Sequence, residues 1–430
     1  MTETTAAPLY WSALQKIALR FFFLLFILYI FFNPNGVLPY TDVIAEYLIQ
    51  PFHIIIPWLS KNLLHMPQPI TTFTNGSGDT TYDYLVILLI VSVSTIVTII
   101  WSVLDRKARN YNKLFYWLCV ILRYYVGITM LSYGFVKIIK LQFPSPSPGR
   151  LLQSFGNASP MGLAWTYMGY STGFNYFTGI AEVSCGLFLF FRKTTTLGAV
   201  LGLVVAGNIM AINYCFDVPV KLLSTALVLM SLFLLAKDAH RLVNFFFLNR
   251  TAPPSEIEPH RFRRKWKNIT LSVVKYALLV YLLMSNIGSD IKAATQYGDA
   301  AVKPYFYGIY DIQNYVVNKD TVAPLTTNTE RWRKLIVGRS GYATVKKMND
   351  STQNYTFRED IKAHTIIMFT DADTSAKYNF TYSEPAKDSL MLKGKLGLDS
   401  IKISMKKFDM KNFKLINRGF HWVNEFPYNK

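Results

Sequence analysis

Two hydrophobic patterns divide the chain. Up to about residue 290, apolar residues come in long runs; from about 295 they alternate with polar residues in short stretches. Runs of roughly 20 apolar residues suit membrane-crossing helices. Alternation with a period of two suits strands that bury one face. The long runs predict about seven spans, at 17–32, 84–104, 114–137, 173–191, 197–214, 220–236 and 269–287. The first is Phe-rich and ends in Asn33-Pro34-Asn35-Gly36. It reads as a retained helix, because a signal peptide ends its apolar core in a small-residue cleavage site. The alternating half predicts strands at 308–318, 331–338, 342–349, 353–360, 364–370, 377–383, 389–396 and 400–408. Turn signals such as Gly338-Arg339-Ser340-Gly341 and Asn349-Asp350-Ser351 separate them. Sequential strands with short links predict an antiparallel meander, closed into a small lipocalin-like barrel that leaves no free edge. A barrel of this size is either filled with side chains or holds one small ligand, and the pattern leaves both open.

The expected architecture is therefore multi-domain: a polytopic α-helical membrane bundle followed by an antiparallel β barrel. Residues 1–110 form two N-terminal spans joined by an amphipathic stretch, 42–65, broken at Pro51 and Pro57 and lying in the membrane interface. A bundle of helices follows at 111–240, then a basic loop at 241–268, a last span at 269–290 and the β domain at 295–430. The long loop 141–172, rich in Pro and aromatic residues, is expected to pack as a cap. The segment from Asn417 to Pro427 is dense in aromatic and polar residues and is expected to fold back over the barrel, with His421 and Glu425 in a hydrogen-bonded structural cap.

Charge refines this picture. Only 17% of residues are charged and 51% are apolar, which fits membrane segments better than one large soluble core. The formal net charge is +19. It does not imply nucleic acid, because the basic residues flank alternate ends of the spans. Arg106, Lys107, Arg109 and Lys113 follow the second span; Arg192 and Lys193 follow the fourth; Lys237, Arg241, Arg250, Arg261, Arg263, Arg264, Lys265 and Lys267 follow the sixth. The loop 34–83 carries Lys61 against Asp42, Glu46, Asp79 and Asp83. By the positive-inside rule the N-terminus is cytoplasmic and the β domain lies across the membrane. The three cysteines form no CxxC pair, which argues against a disulfide scaffold, a zinc site and a thiol relay. No GxxxxGK[ST], HExxH or GxSxG motif is present. No histidine lies inside a span, so haem ligation within the bilayer is not expected.

Candidate chemistry lies with polar residues inside or beside the spans, where an unpaired charge is costly. Arg123, Lys137, Glu182, Asn208 and Asn213 are of this kind. At 1.5 Å rise per residue, Arg123 and Glu182 fall at depths only about 5 Å apart. This predicts an Arg123–Glu182 ion pair near the midplane, with Asn208 close by. A second cluster sits at the outer surface: Tyr133, Lys137, Lys140, Asn213, Asp217 and Lys221, with Asp217 placed to pair with Lys137 or Lys221. It reads as a headgroup site or as snorkelling interfacial residues.

Several stretches resemble the DoxX family of small membrane proteins: Leu122-Arg123-Tyr124, Tyr133-Gly134-Phe135-Val136-Lys137-Ile138, Ser159-Pro160-Met161-Gly162-Leu163-Ala164-Trp165, Gly179-Ile180-Ala181-Glu182-Val183 and Tyr214-Cys215-Phe216-Asp217-Val218-Pro219-Val220-Lys221-Leu222. The chain is similar in particular to enlarged Bacteroidota-type members with extra spans and an outside β domain. The resemblance covers about 114–240. It implies a compact four-helix membrane bundle and, for some members, a link to quinone-dependent redox complexes. On that resemblance the expected role is a non-catalytic accessory subunit of the bacterial inner membrane that binds a quinone or lipid through Arg123, Tyr133, Lys137, Glu182, Asn208, Asp217 and Lys221, and joins a membrane or periplasmic protein complex. The alternatives are an oxidoreductase subunit that uses quinone directly and an assembly factor with no small ligand.

Overall fold

The computed structural model describes residues 11–35, 41–72, 76–252, 264–339, 341–370, 373–396 and 398–429. Much of the basic loop, including Arg261 and Arg263, lies outside these residues. The chain forms two compact units: 1–138 with 176–289, and 139–175 with 290–430.

The first unit is helical. Its elements are α1 (Ala13–Phe32), α2 (Thr41–Ile49), α3 (Phe52–Asn62), α4 (Thr81–Leu104), α5 (Asn112–Ile138), most of α8 (Thr172–Phe190), α9 (Thr195–Cys215), α10 (Lys221–Ala236), α11 (Ala239–Phe246) and most of α12 (Lys265–Tyr297). Two helix starts carry a capping box, in which side chain and backbone satisfy each other's orphan groups: Ser12 with Gln15 on α1, and Thr80 with Asp83 on α4. The interfacial stretch divides at Pro51, where α2 ends and α3 begins; Pro57, expected as a second break, lies inside α3. That helix seats Ile56 against Val86 and Ile90 of α4.

Five helices among the described residues are long and apolar enough to cross a membrane, spanning 13–32, 81–104, 112–138, 192–215 and 265–297. The α10–α11 pair, bent by 79°, makes a sixth if it is one span. The remaining expected span, the fourth, is α8; it falls short in apolarity because it carries Asn175 and Glu182. It packs tightly instead. A Cβ on Gly134 of α5 would lie 2.8 Å from the Gly179 carbonyl oxygen of α8, and one on Gly186 would lie 2.6 Å from that of Gly127. Small residues seven apart on each helix thus let two backbones touch, the usual route to close packing in membranes. Gly198 and Gly202 of α9 likewise meet Leu189 and Ser231, while Gly207 faces open space.

The second unit holds the loop 139–175 and the β domain. The loop folds as α6 (Pro148–Leu152) and α7 (Pro160–Tyr170). Each is capped by a serine followed by proline at the first helical position, where its missing N–H has no partner to lose. It therefore groups with the barrel rather than with the helical bundle, in which the sequence placed it. Gly169 of α7 lies so close to Pro144 that a Cβ would sit 2.2 Å from its carbonyl oxygen.

The barrel comprises β1 (Gly308–Val317), β2 (Asp320–Thr321), β3 (Trp332–Val337), β4 (Tyr342–Lys347), β5 (Thr352–Asp360), β6 (Thr365–Thr370), β7 (Asp373–Ser383), β8 (Ser389–Leu396) and β9 (Asp399–Phe408). All pairings are antiparallel, from β1–β3 through β8–β9, and β1–β9 closes the ring from Ile309↔Phe408 to Val317↔Ile401. The two-residue β2 only extends β1. Inside are Tyr310, Ile312, Tyr315, Trp332, Leu335, Val345, Phe357, Met368, Phe380 and Leu392, with further apolar partners. The barrel is thus a packed core. Two bulges change which parity points inward. Even positions of β1 (Tyr310, Ile312) give way to odd Tyr315 after the shift between Ile312 and Asn314. In β3, Trp332 gives way to Leu335 and Val337 after the shift between Trp332 and Lys334. An extra residue in one strand must do this.

The C-terminal segment does not plug the barrel. His421 and Glu425 are both exposed, and His421 contacts Arg418 of the same segment. The interior already filled by strand side chains leaves nothing for them to cap.

Candidate functional site

Glu182 stands on α8 at 1% exposure. Its Oε1 pairs with the Lys137 ammonium from the last turn of α5, itself 4% exposed. Its Oε2 is buried and has no hydrogen-bond partner among the described residues. A buried acceptor left this way costs about 1–3 kcal/mol, more when charged. Tyr133, one turn before Lys137, is half-buried.

Arg123 is not the partner of Glu182. It is buried, and its Nε donates to the Leu189 carbonyl at 2.9 Å. Side-chain direction explains the correction. Helical side chains tilt toward their own N-terminus. The contacts Gly134 with Gly179 and Gly127 with Gly186 make α5 and α8 antiparallel. Lys137 therefore leans back along α5 while Glu182 leans along α8 to meet it. Arg123 leans back along α5 in the same sense, which from its position carries it away from Glu182 and onto the Leu189 carbonyl. Depth alone ignored this tilt.

The remaining expected residues divide. Asn208 is exposed on α9, whereas Glu182 is buried on α8. Asn213 is buried and donates to the Val220 carbonyl and the Ser224 hydroxyl. Asp217 is exposed, holds a left-handed backbone (φ 52°) and pairs with Lys221 at 2.8 Å, not with Lys137. The outer cluster therefore separates into a buried Lys137–Glu182 pair and a surface Asp217–Lys221 pair.

Two groups escaped the sequence reading. Asp79, counted only as a loop charge, accepts the backbone N–H of Lys221 at 2.7 Å and of Leu222 at 3.0 Å. It caps α10 from 142 residues away, where no local signature exists. Arg20, 4% exposed, donates to the Tyr111 hydroxyl, the Ser102 hydroxyl at 2.9 Å and the Asp105 carbonyl at 2.9 Å; Tyr111 in turn donates to the Asp105 carboxylate. An arginine within an apolar run was the available signal.

In the second unit, Lys140 is buried with a left-handed backbone (φ 57°). Its ammonium donates to Ser145 Oγ, the Gly169 carbonyl and Thr172 Oγ1, and lies 3.2 Å from Asp299. Asp299 also accepts from the Ser145 backbone and hydroxyl and from Arg339. Burial alone would raise the Asp299 carboxyl; these donors outweigh it and hold it down at about 2. The network ties the loop to the barrel. Among the described residues no group of three or more His, Cys, Asp or Glu side chains is placed to hold a metal ion. The cysteines are free, with Cys119 and Cys185 buried and Cys215 exposed.

No family model matches the chain, and no solved structure matches it. It is 34% identical over 124 residues to the uncharacterized protein YwoB of Bacillus subtilis; the aligned part is 29% of this chain and 79% of that protein.

Proposed function

The chain belongs to the family of that Bacillus subtilis protein, and we propose a role that resides in its helical unit. The protein is a non-catalytic accessory protein of a bacterial inner membrane. It binds the polar head of a quinone or lipid beside Glu182, and the barrel faces the periplasm as a docking platform for a membrane or envelope complex. The unpartnered Glu182 Oε2 carries this reading: a buried carboxylate oxygen beside an ammonium and a tyrosine accepts a hydroxyl or amine from a ligand head, while Lys137 donates to a carbonyl. The filled barrel interior supports placing the ligand among the helices. The DoxX resemblance supports the quinone alternative, and the lysine and arginine distribution supports the orientation.

The test is mass spectrometry of the organic extract from the protein in native nanodiscs, compared with Glu182→Gln and with the same membranes lacking it. The expected result is a quinone or defined lipid enriched with the wild-type chain and depleted with Glu182→Gln. An extract matching bulk lipid in both would overturn the reading.

A further inference from the structure

The C-terminal segment, excluded from the barrel interior, projects its large apolar side chains outward. Phe420, Trp422, Val423 and Phe426 are 77%, 90%, 71% and 83% exposed. Local contacts order the segment: the Arg418 guanidinium lies 4.6 Å over the Tyr428 ring and donates to Asn424, and the Phe420 and Trp422 rings meet edge to face at 5.1 Å. An ordered cluster of exposed aromatic residues marks a surface built to be covered.

Strand register says where it begins. β1 enters the barrel at Gly308, a short link after α12 ends at Tyr297. β9 runs antiparallel to β1 and ends opposite that entry, with Phe408 paired to Ile309. The segment therefore leaves the barrel at the rim where the chain arrives from its last apolar helix. The β8–β9 turn, carrying the fully exposed Leu398, lies at the far rim, where Asn318 bonds Ser400 and Asp399. The segment also carries Lys411, Lys414 and Arg418 against Asp409 and Glu425. Tryptophan and tyrosine sit favourably at the headgroup level, and basic residues are drawn to anionic lipid.

We propose that residues 409–428 are an interfacial anchor: Phe420, Trp422, Val423 and Phe426 insert into the headgroup region of the membrane that α12 leaves, and Lys411, Lys414 and Arg418 meet its anionic lipids. The anchor holds the barrel's entry rim against the lipid surface.

The test uses the full chain with Cys215→Ser, since Cys119 and Cys185 are buried from label. One cysteine is introduced at exposed Val423 or, as control, at Leu398, and labelled with an environment-sensitive fluorophore. The protein is placed in nanodiscs of phosphatidylcholine and phosphatidylglycerol, with and without bromine-bearing acyl chains. The expected result is several-fold stronger quenching by brominated lipid at Val423→Cys than at Leu398→Cys. Equal, weak quenching at both would overturn the proposal. So would a label at Val423→Cys that is shielded from water yet unquenched, since that would place a protein surface, not lipid, over the segment.

Discussion

The two units bury opposite things. The barrel hides Trp332, Phe380 and Leu335 and turns charge outward; the deeply buried Arg331 sits at a strand start, bonded to the Val322 and Trp332 carbonyls. The helical unit shows Ile96, Ile99, Val273 and Val280 on its outside and hides Arg20, Arg123, Lys137 and Glu182. The barrel follows the rule for water. The helical unit follows the rule for lipid, where polar side chains face the bundle and must find each other. Apolar pattern therefore locates the elements in both units, but only in the barrel does it also name the interior.

The sharpest way to break the contrast is to disturb each interior with one substitution. Glu182→Ala removes the carboxylate that pairs with Lys137 in the helical interior and should cost about 3–5 kcal/mol, read as a lowered melting temperature in detergent; adding Lys137→Met should recover most of it. If the double variant is no better than the single, the pair is not what the helices are built around. Trp332→Ala in the barrel should cost about 3–5 kcal/mol through cavity formation. Hydrogen exchange should then rise in the barrel strands and remain unchanged in α5 and α8. A smaller effect is expected at the helix contact. Gly134→Ala places a methyl 2.7 Å from Val183 and 2.8 Å from the Gly179 carbonyl oxygen, and should cost about 1–3 kcal/mol by forcing α5 and α8 apart.

The smallest effect concerns pH. The Asp299 carboxyl falls from 3.8 to about 2 on folding. Between these values the unfolded chain binds more protons, so stability rises with pH. The contribution is complete above about pH 4 and is lost as pH falls through about 2. The melting-temperature gap between wild type and Asp299→Asn should close over that window and stay constant at higher pH.

Legibility followed the same contrast. Strand positions were readable to within a few residues, because period-two alternation has no rival explanation in a half-exposed sheet. The parity changes at Asn314 and Lys334 were not, since a bulge leaves composition untouched. Among the helices, Glu182 announced itself as a costly charge in an apolar run. Its partner did not, because depth arithmetic places Cα atoms and the tilt of side chains decides contact. Asp79 was invisible for a different reason: it caps a helix distant in sequence. The composition of the aromatic tail suggests a cap over the barrel, but composition does not show which way its side chains face, and His421 and Glu425 are exposed.

On the proposed function, ligand binding belongs to the helices and not to the barrel. Photo-crosslinking the full chain in nanodiscs with light-activated quinone and lipid-head analogues, followed by peptide mapping, tests it most directly. Label is expected on peptides from 112–138 and 172–190, displaced by unlabelled ligand and reduced by Glu182→Gln. Displaceable label confined to the strands of 308–408 would contradict it.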